Sequence, residues 1–348
     1  MRGRTPRIGA LYALGMLLAL VVAACDGTSS VARPTATLTA HPSPTATTAA
    51  TQTPTAPNPP AINATIAYLY DPLTGAVYLS RNADQEVAMA STTKIMTALV
   101  AITYGNLDAP ITIGQDAVDV PAGSSLAFLK QGDKIALRDL LYGLLLPSGD
   151  DAAVAIADGV AGSQGNFVAL MNVEAVLLGL VHTHYTDVHG LDAPNCDYAH
   201  LTGYNANCLY TTATDLAHLA AFAMQSKVFA QIVATPKYSL AATATHGTYV
   251  WDTTNELLST FAYQGAVATG VKTGQENAAG ECLVFSAAGP SVDLLGVVLH
   301  DGEFDAADPN EYYWRFEDAA VLLKWEIDQQ LAAAPAGSST PTPTSTAP

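Results

Sequence analysis

The feature that most constrains this chain is the stretch Ala88-Met89-Ala90-Ser91-Thr92-Thr93-Lys94-Ile95-Met96-Thr97-Ala98-Leu99-Val100, where a hydroxyl and an amine stand three residues apart at the head of an apolar run. A helix that is apolar on nearly all sides has to be buried. At this spacing Ser91 and Lys94 lie on one face about a turn apart, so the amine is placed to take the hydroxyl's proton. Taken alone, the pattern is more simply read as a serine cap and a lysine that reaches to solvent. Other motifs have to decide between an activated nucleophile and a capped core helix.

The 348 residues, 49% of them hydrophobic, suffice for a sizeable core. Charged residues make up 13% and leave a net charge of −17, an acidic excess that argues against nucleic acid as a partner. Met1 to Ala24 reads as a secretory signal, with Arg2, Arg4 and Arg7 ahead of an apolar run from Ile8 to Val22 that is short for a spanning helix. The run ends Val22-Ala23-Ala24-Cys25, which resembles a bacterial lipobox and predicts Cys25 as a lipidated N-terminus. An ordinary signal or an uncleaved anchor is the alternative. From Cys25 to residue 62 the chain is rich in Thr, Pro and Ala, with no apolar periodicity, and reads as an extended linker. At about 3.1 Å per residue it would hold the folded body on the order of 100 Å from the anchor. Residues 334–348 share this composition and read as a loose tail.

Cys196 and Cys208 bracket a polar, turn-rich segment, and in an exported protein such a pair is expected to form a disulfide, contributing roughly 3 kcal/mol in the chain-entropy model. His200 alone adds too few ligands for a metal, so none is expected, nor is any cofactor. Cys282, in the run Cys282-Leu283-Val284-Phe285, is expected in a buried strand.

Between linker and tail, residues 63–333 read as one α+β domain. Two β-rich runs, 65–70 and 76–80, flank a turn with Pro72 and Gly75 and predict a hairpin. After the Ser91 helix, a helix over 137–146 is stopped by Pro147, so Ser148-Gly149-Asp150 falls in a tight turn before another helix, 151–160. Helices are also expected over 167–178 and 212–224, the second capped, and over 316–331. Strands are expected at 267–273 and 283–286, joined by 274–280, and at 294–300. Strands at both ends and helices in the middle predict an antiparallel sheet flanked by helices, with a helical subdomain.

Three motifs then fall in one order: Ser91-Thr92-Thr93-Lys94, Ser148-Gly149-Asp150 and Lys272-Thr273-Gly274. S-x-x-K, S-x-N and K-T-G are the signature of penicillin-recognising serine enzymes. With Leu146-Pro147-Ser148-Gly149-Asp150-Asp151-Ala152-Ala153, Val188-His189-Gly190-Leu191-Asp192 and Arg315-Phe316-Glu317-Asp318 around them, the chain from about Thr65 to Gln330 resembles the D-alanyl-D-alanine carboxypeptidases, the low-molecular-mass penicillin-binding proteins.

The resemblance implies the transpeptidase-like fold and a function: removal of the terminal D-alanine from peptidoglycan stem peptides, with β-lactams as inhibitors. It implies Ser91 as nucleophile, Lys94 as base, and Ser148 as proton relay to the leaving amine. Lys272 and Thr273 would hold the substrate's carboxylate, with Gly274 completing the motif, and the N–H groups of Ser91 and Gln275 would form the oxyanion hole. The expected place is the cell envelope, membrane-anchored through Cys25.

Two departures from the family pattern stand out. Asp150 occupies the asparagine position, and Gln275-Glu276 follows K-T-G where the family usually has His or Tyr with Thr. A serine β-lactamase is the competing enzyme, although no E-x-x-L-N segment lies between the second and third motifs. Asp150 also leaves open a weakly active or non-catalytic binder of stem peptides. Arg315 is expected either to fix a carboxylate or to pair with Glu317 or Asp318, and His189 is left outside the catalytic set.

Overall fold

The computed structural model describes residues 58–201, 203–290, 292–301 and 314–333, all within one compact unit spanning Gln52–Pro348. The signal, Cys25, most of the linker and the tail lie outside the described residues.

The expected first hairpin is present as β1 (Ile66–Tyr70) and β2 (Val77–Arg81). A single 3-10 turn, Ala90–Thr93, leads into α1 (Lys94–Tyr104), so Ser91 sits in the turn and Lys94 opens the helix proper. The next stretch holds β3 (Pro110–Thr112), α2 (Gln115–Val118) and β4 (Lys134–Ala136). Then come α3 (Leu137–Leu145), α4 (Asp150–Ala161), α5 (Gln164–Leu177), α6 (Ala213–Met224) and α7 (Lys227–Val233). Thr212 caps α6 by accepting from the Asp215 N–H at 3.1 Å, as a threonine before an apolar helix should. A small hairpin of β5 (Lys237–Leu240) and β6 (Tyr249–Asp252) follows, then α8 (Leu257–Thr260) and β7 (Ala262–Tyr263). The chain closes with β8 (Ala266–Glu276), β9 (Gly280–Gly289), β10 (Val292–Leu299) and α9 (Trp314–Ala333).

Six strands form one antiparallel sheet in the order β2-β1-β10-β9-β8-β7. Its central strands are buried on both faces, which the two-residue period of a strand explains. Ile66, Tyr68 and Tyr70 of β1 face the large core under the helices, whereas Ala67 and Leu69 face α9. On β9, Cys282 and Val284 alternate with Leu283 and Phe285 in the same way. On the far face Phe316, Leu322, Leu323 and Ile327 of α9 close the second core. No single described helix is long and apolar enough to cross a membrane.

One boundary differs usefully from the sequence reading. Gly274 reads as the start of the connection after a strand ending at Thr273, but β8 runs on to Glu276 and β9 begins at Gly280, with Gly274↔Cys282, Gln275↔Glu281 and Glu276↔Gly280 in register. Pairing with β9 overrides the turn preference of glycine, so Lys272-Thr273-Gly274 lies inside a strand. Because β7 pairs with β8 only at Ala266 and Val267, the rest of that edge of β8 is left for the 3-10 turn and the cleft beside it.

Candidate active site

The 3-10 turn and β8 approach closely, and two glycines make this possible. A Cβ on Gly274 would lie 3.2 Å from Ala90 Cβ, Met89 O and Thr92 Cγ2. Gly190, at φ +98°, passes so near that a Cβ would lie 2.0 Å from the Ala90 carbonyl oxygen and 2.9 Å from the Ser91 nitrogen. Ala90 itself has φ +47° and Ser148 has φ +63°, conformations that L-residues seldom adopt and that cluster at functional sites.

Lys94 is wholly buried, yet its ammonium is fully partnered. Nζ is 2.7 Å from Ser91 Oγ, 2.8 Å from the His189 carbonyl oxygen and 2.6 Å from Asp150 Oδ1. Three donors of an ammonium meet three acceptors. A neutral amine fits the same geometry with two N–H bonds to His189 O and Asp150 and its lone pair towards the Ser91 hydroxyl. The His189 ring takes no part, since its Nδ1 is 3.0 Å from Asp187 Oδ1, but the backbone of its loop does.

Asp150 opens α4, and its N–H donates to the Ser125 carbonyl at 2.8 Å. Asp151 pins the facing loop by accepting from the N–H groups of Ala127 at 2.8 Å and Leu129 at 2.9 Å. Trp251 Nε1 donates to the Ala127 carbonyl from the other side at 2.8 Å. Sequence reasoning missed this loop; the second acidic residue directly after Ser148-Gly149-Asp150 is the only trace of it in the chain.

On β8, Lys272 is 1% exposed and donates to Thr273 O at 2.9 Å, while Thr273 Oγ1 lies 2.6 Å from Thr254 Oγ1. Burial, and then the nearby charges of Lys94 and Arg315, hold the Lys272 amine well below the usual lysine range, with Asp150 opposing them. An anion bound beside it would therefore meet a site short of negative charge. Of the two alternatives for Arg315, the pairing with Glu317 or Asp318 is replaced by one across the sheet, while its side chain still borders the cleft. Its Nη1 is 2.5 Å from Glu281 Oε2 and donates to the Gly274 carbonyl at 2.9 Å, so the buried guanidinium braces β8. The partner lies on the neighbouring strand, where no helical spacing reveals it.

These elements border one cleft of about 480 Å³, lined by Ser91, Ser148, Asp150, Thr273, Gly274 and Gln275 among others, with Ser124, Ser125, Leu191, Thr254, Glu276, Asn277 and Arg315 completing the walls. The structure thus brings Ser91, Ser148, Asp150, Thr273, Gly274 and Gln275 to one cleft, with Lys94 and Lys272 buried rather than lining it. Cys196 and Cys208 line no part of it; they are bonded to each other, with Cα atoms 4.9 Å apart. Cys282 is buried in β9. Among the described residues no group of three or more His, Cys, Asp or Glu side chains is arranged to hold a metal.

The family described as D-alanyl-D-alanine carboxypeptidase, Peptidase S11, matches residues 52–303. The chain is 38% identical to the D-alanyl-D-alanine carboxypeptidase of Streptomyces sp. (strain K15) over 254 residues, 69% of this chain and 81% of that protein. It is 35% identical to DacD of Escherichia coli (strain K12) over 283 residues, 78% of this chain and 64% of that protein. The crystal structure of the Streptomyces K15 DD-transpeptidase superposes with a TM-score of 0.67 at 34% identity, covering 78% of this chain and 99% of that one. That of D-alanyl-D-alanine carboxypeptidase from Mycobacterium tuberculosis H37Rv gives 0.67 at 31%, covering 80% and 96%. By sequence and by fold, the chain belongs to the D-alanyl-D-alanine carboxypeptidase family.

Proposed function

We propose that the protein is a serine D-Ala-D-Ala carboxypeptidase that removes the terminal D-alanine from peptidoglycan stem peptides and is acylated by β-lactams. The observation that carries this reading is the contact of a buried lysine amine, at 2.7 Å, with a cleft-lining serine hydroxyl opposite Lys272-Thr273-Gly274. Ser91 Oγ attacks the carbonyl between the two D-alanines as its proton passes to Lys94. The oxyanion is held by the N–H groups of Ser91 and Gln275, donors of a kind whose removal elsewhere costs roughly 3 to 4 kcal/mol. Ser148 relays the proton to the leaving D-alanine amine as the C–N bond breaks. Water then opens the ester and returns Ser91 to its hydroxyl form. Lys272 and Thr273 bind the terminal carboxylate, while Arg315 acts indirectly by bracing Gly274.

Export to the envelope follows from a substrate that lies outside the membrane. We place Cys25 as the lipid anchor on the strength of the sequence that precedes it. Fractionation of Cys25→Ala tests this: release from membranes or loss of processing supports the anchor, and unchanged behaviour removes it.

The enzymatic reading is tested by fluorescent penicillin labelling, mass mapping of the adduct, and D-alanine release from diacetyl-Lys-D-Ala-D-Ala. The expected result is an adduct on Ser91, absent in Ser91→Ala, together with release of D-alanine. An adduct on Ser148, or persistent labelling in Ser91→Ala, would overturn the mechanism. Rapid drug turnover would point instead to a β-lactamase.

A further inference from the structure

The cleft is electrically uneven along β8. Arg315 borders the cleft near Thr273, with Lys272 buried just beneath; three residues past Thr273, at the hairpin end, stands Glu276. Its side chain is half-buried in the cleft wall and makes no hydrogen bond or salt bridge with any described residue, so its carboxylate is left for a ligand in the cleft to meet. The groups nearest in charge are Asp192 and Asp150 on the acidic side, Lys94 and His189 on the basic side. Neither base is available to pair with it, because Lys94 is held by Asp150 and His189 by Asp187. Asp192 in turn accepts from the Ala278 N–H at 2.9 Å, which fixes the hairpin end against its loop.

A peptide along the open edge of β8 has its direction set by the two ends of this cleft. With its terminal carboxylate at Lys272 and Thr273 and its reacting carbonyl at Ser91 and the Gln275 N–H, the chain before the scissile bond runs on towards Glu276 and Asn277. An extended chain advances about 3.3 Å per residue, so the residue preceding the D-Ala-D-Ala pair comes level with Glu276. We propose that Glu276 is a specificity-determining residue, selecting acyl donors in which the residue immediately before D-Ala-D-Ala carries a free side-chain ammonium. This rests on the carboxypeptidase reading above and extends it to substrate choice.

Burial, helped by Asp192 and Asp150 and opposed by Lys94 and His189, pushes the Glu276 carboxyl up to about 7. The selectivity should therefore strengthen as pH rises through about 7, where Glu276 becomes charged while an amine of ordinary lysine type, near pKa 10.4, is still an ammonium.

The test compares kcat/KM for acetyl-Lys-D-Ala-D-Ala, whose ε-amine is free, with diacetyl-Lys-D-Ala-D-Ala, whose ε-amine is blocked. At pH 8 the wild type should favour the free amine by about three- to tenfold, as a partly buried ion pair allows, and by less at pH 6. In Glu276→Gln the ratio should fall to about one at both pH values, mainly through slower turnover of the free-amine peptide. A wild-type ratio near one at pH 8 overturns the proposal without any variant, and so does a ratio that survives in Glu276→Gln. If neither peptide releases D-alanine and penicillin does not label Ser91, it is the carboxypeptidase reading itself that fails.

Discussion

Lys94 and Asp150 form a salt bridge of 2.6 Å with both side chains almost fully buried, at 0% and 3% exposure. Nothing in the local spacing of the chain predicts this ion pair, because its members come from α1 and α4 and meet only when the helices pack. It places a carboxylate where an amide would otherwise both accept from the lysine and donate into the cleft.

Asp150→Asn should therefore speed acylation. The amide keeps the oxygen facing Lys94 and adds a donor for the substrate's carbonyl. Leaving that carbonyl unpaired against a carboxylate costs about 1 to 3 kcal/mol, or roughly ten- to a hundredfold in rate. The same exchange deprives a buried ammonium of its counter-charge, so the melting temperature is expected to fall while the rate rises. Stopped-flow penicillin acylation at pH 7, with calorimetry alongside, measures both. Loss of acylation would mean that the carboxylate has a positive role and would overturn this account.

The part of the stability that Asp301 supplies should decline from pH 5 to pH 8, against the opposite contribution of the buried Lys272 amine. Asp301 is fully buried, and its carboxyl is pushed up to about 8 by burial first, then by the charge of Asp318 and a hydrogen bond to it, with Glu281 adding and Arg315 opposing. The folded state thus holds a proton that the unfolded chain, with a carboxyl near 3.9, has released, and stability falls with pH between those two values. Glu326, at about 7, acts in the same direction. Asp301→Asn, which still donates to Asp318, should flatten the slope and raise the melting temperature at pH 8. An unaltered slope in the variant relative to the wild type would contradict the assignment.

Gly190→Ala should disable the site while leaving the fold recognisable. The new Cβ would collide with the Ala90 carbonyl beside Ser91, and φ +98° is itself hostile to alanine. The turn carrying Ser91, the proposed nucleophile, and the loop that accepts from Lys94 have to separate, and a shift near 1 Å at a reacting group lowers rates by about a hundredfold. Penicillin labelling should fall by that order with the circular dichroism spectrum retained. Wild-type labelling would show that the loop yields freely.

Removing the Cys196–Cys208 bond, by serine at both positions, should cost about 2 to 4 kcal/mol. His184 Nδ1 lies 2.8 Å from the Cys208 carbonyl oxygen and would lose a fixed partner, but the bond lies outside the cleft lining. Denaturant melts should register the loss, with acylation by penicillin nearly unaffected. Free thiols at both positions in oxidised protein would remove the premise.

The residues that meet at the cleft were legible because their motifs are short and local. Ser91 and Lys94 need only the short spacing of one helical turn at the start of α1, and Ser148-Gly149 only the stop at Pro147 before α4. Contacts made by pairing were not legible. Glu281 finds Arg315 through the register of β8 and β9 and the packing of α9, and the extension of β8 past Gly274 depends on the same ladder. The β5–β6 hairpin was hidden in a Thr- and Ala-rich segment, yet it stacks Tyr238 on Tyr142 with ring centroids 3.8 Å apart and sends Trp251 to the loop that Asp151 holds. Pairing partners far apart in the chain leave no period to read.

The left-handed backbone at Ala90 and Ser148 sets the working site against the durability of the molecule. Each such residue costs on the order of 1 to 3 kcal/mol, which the surrounding packing has to overcome. Glycine at either position would relieve that tension, so a screen for heat resistance should recover Ala90→Gly, and the survivors should be slower catalysts because the turn that aims Ser91 has gained freedom. In this protein endurance and turnover pull on the same few dihedral angles.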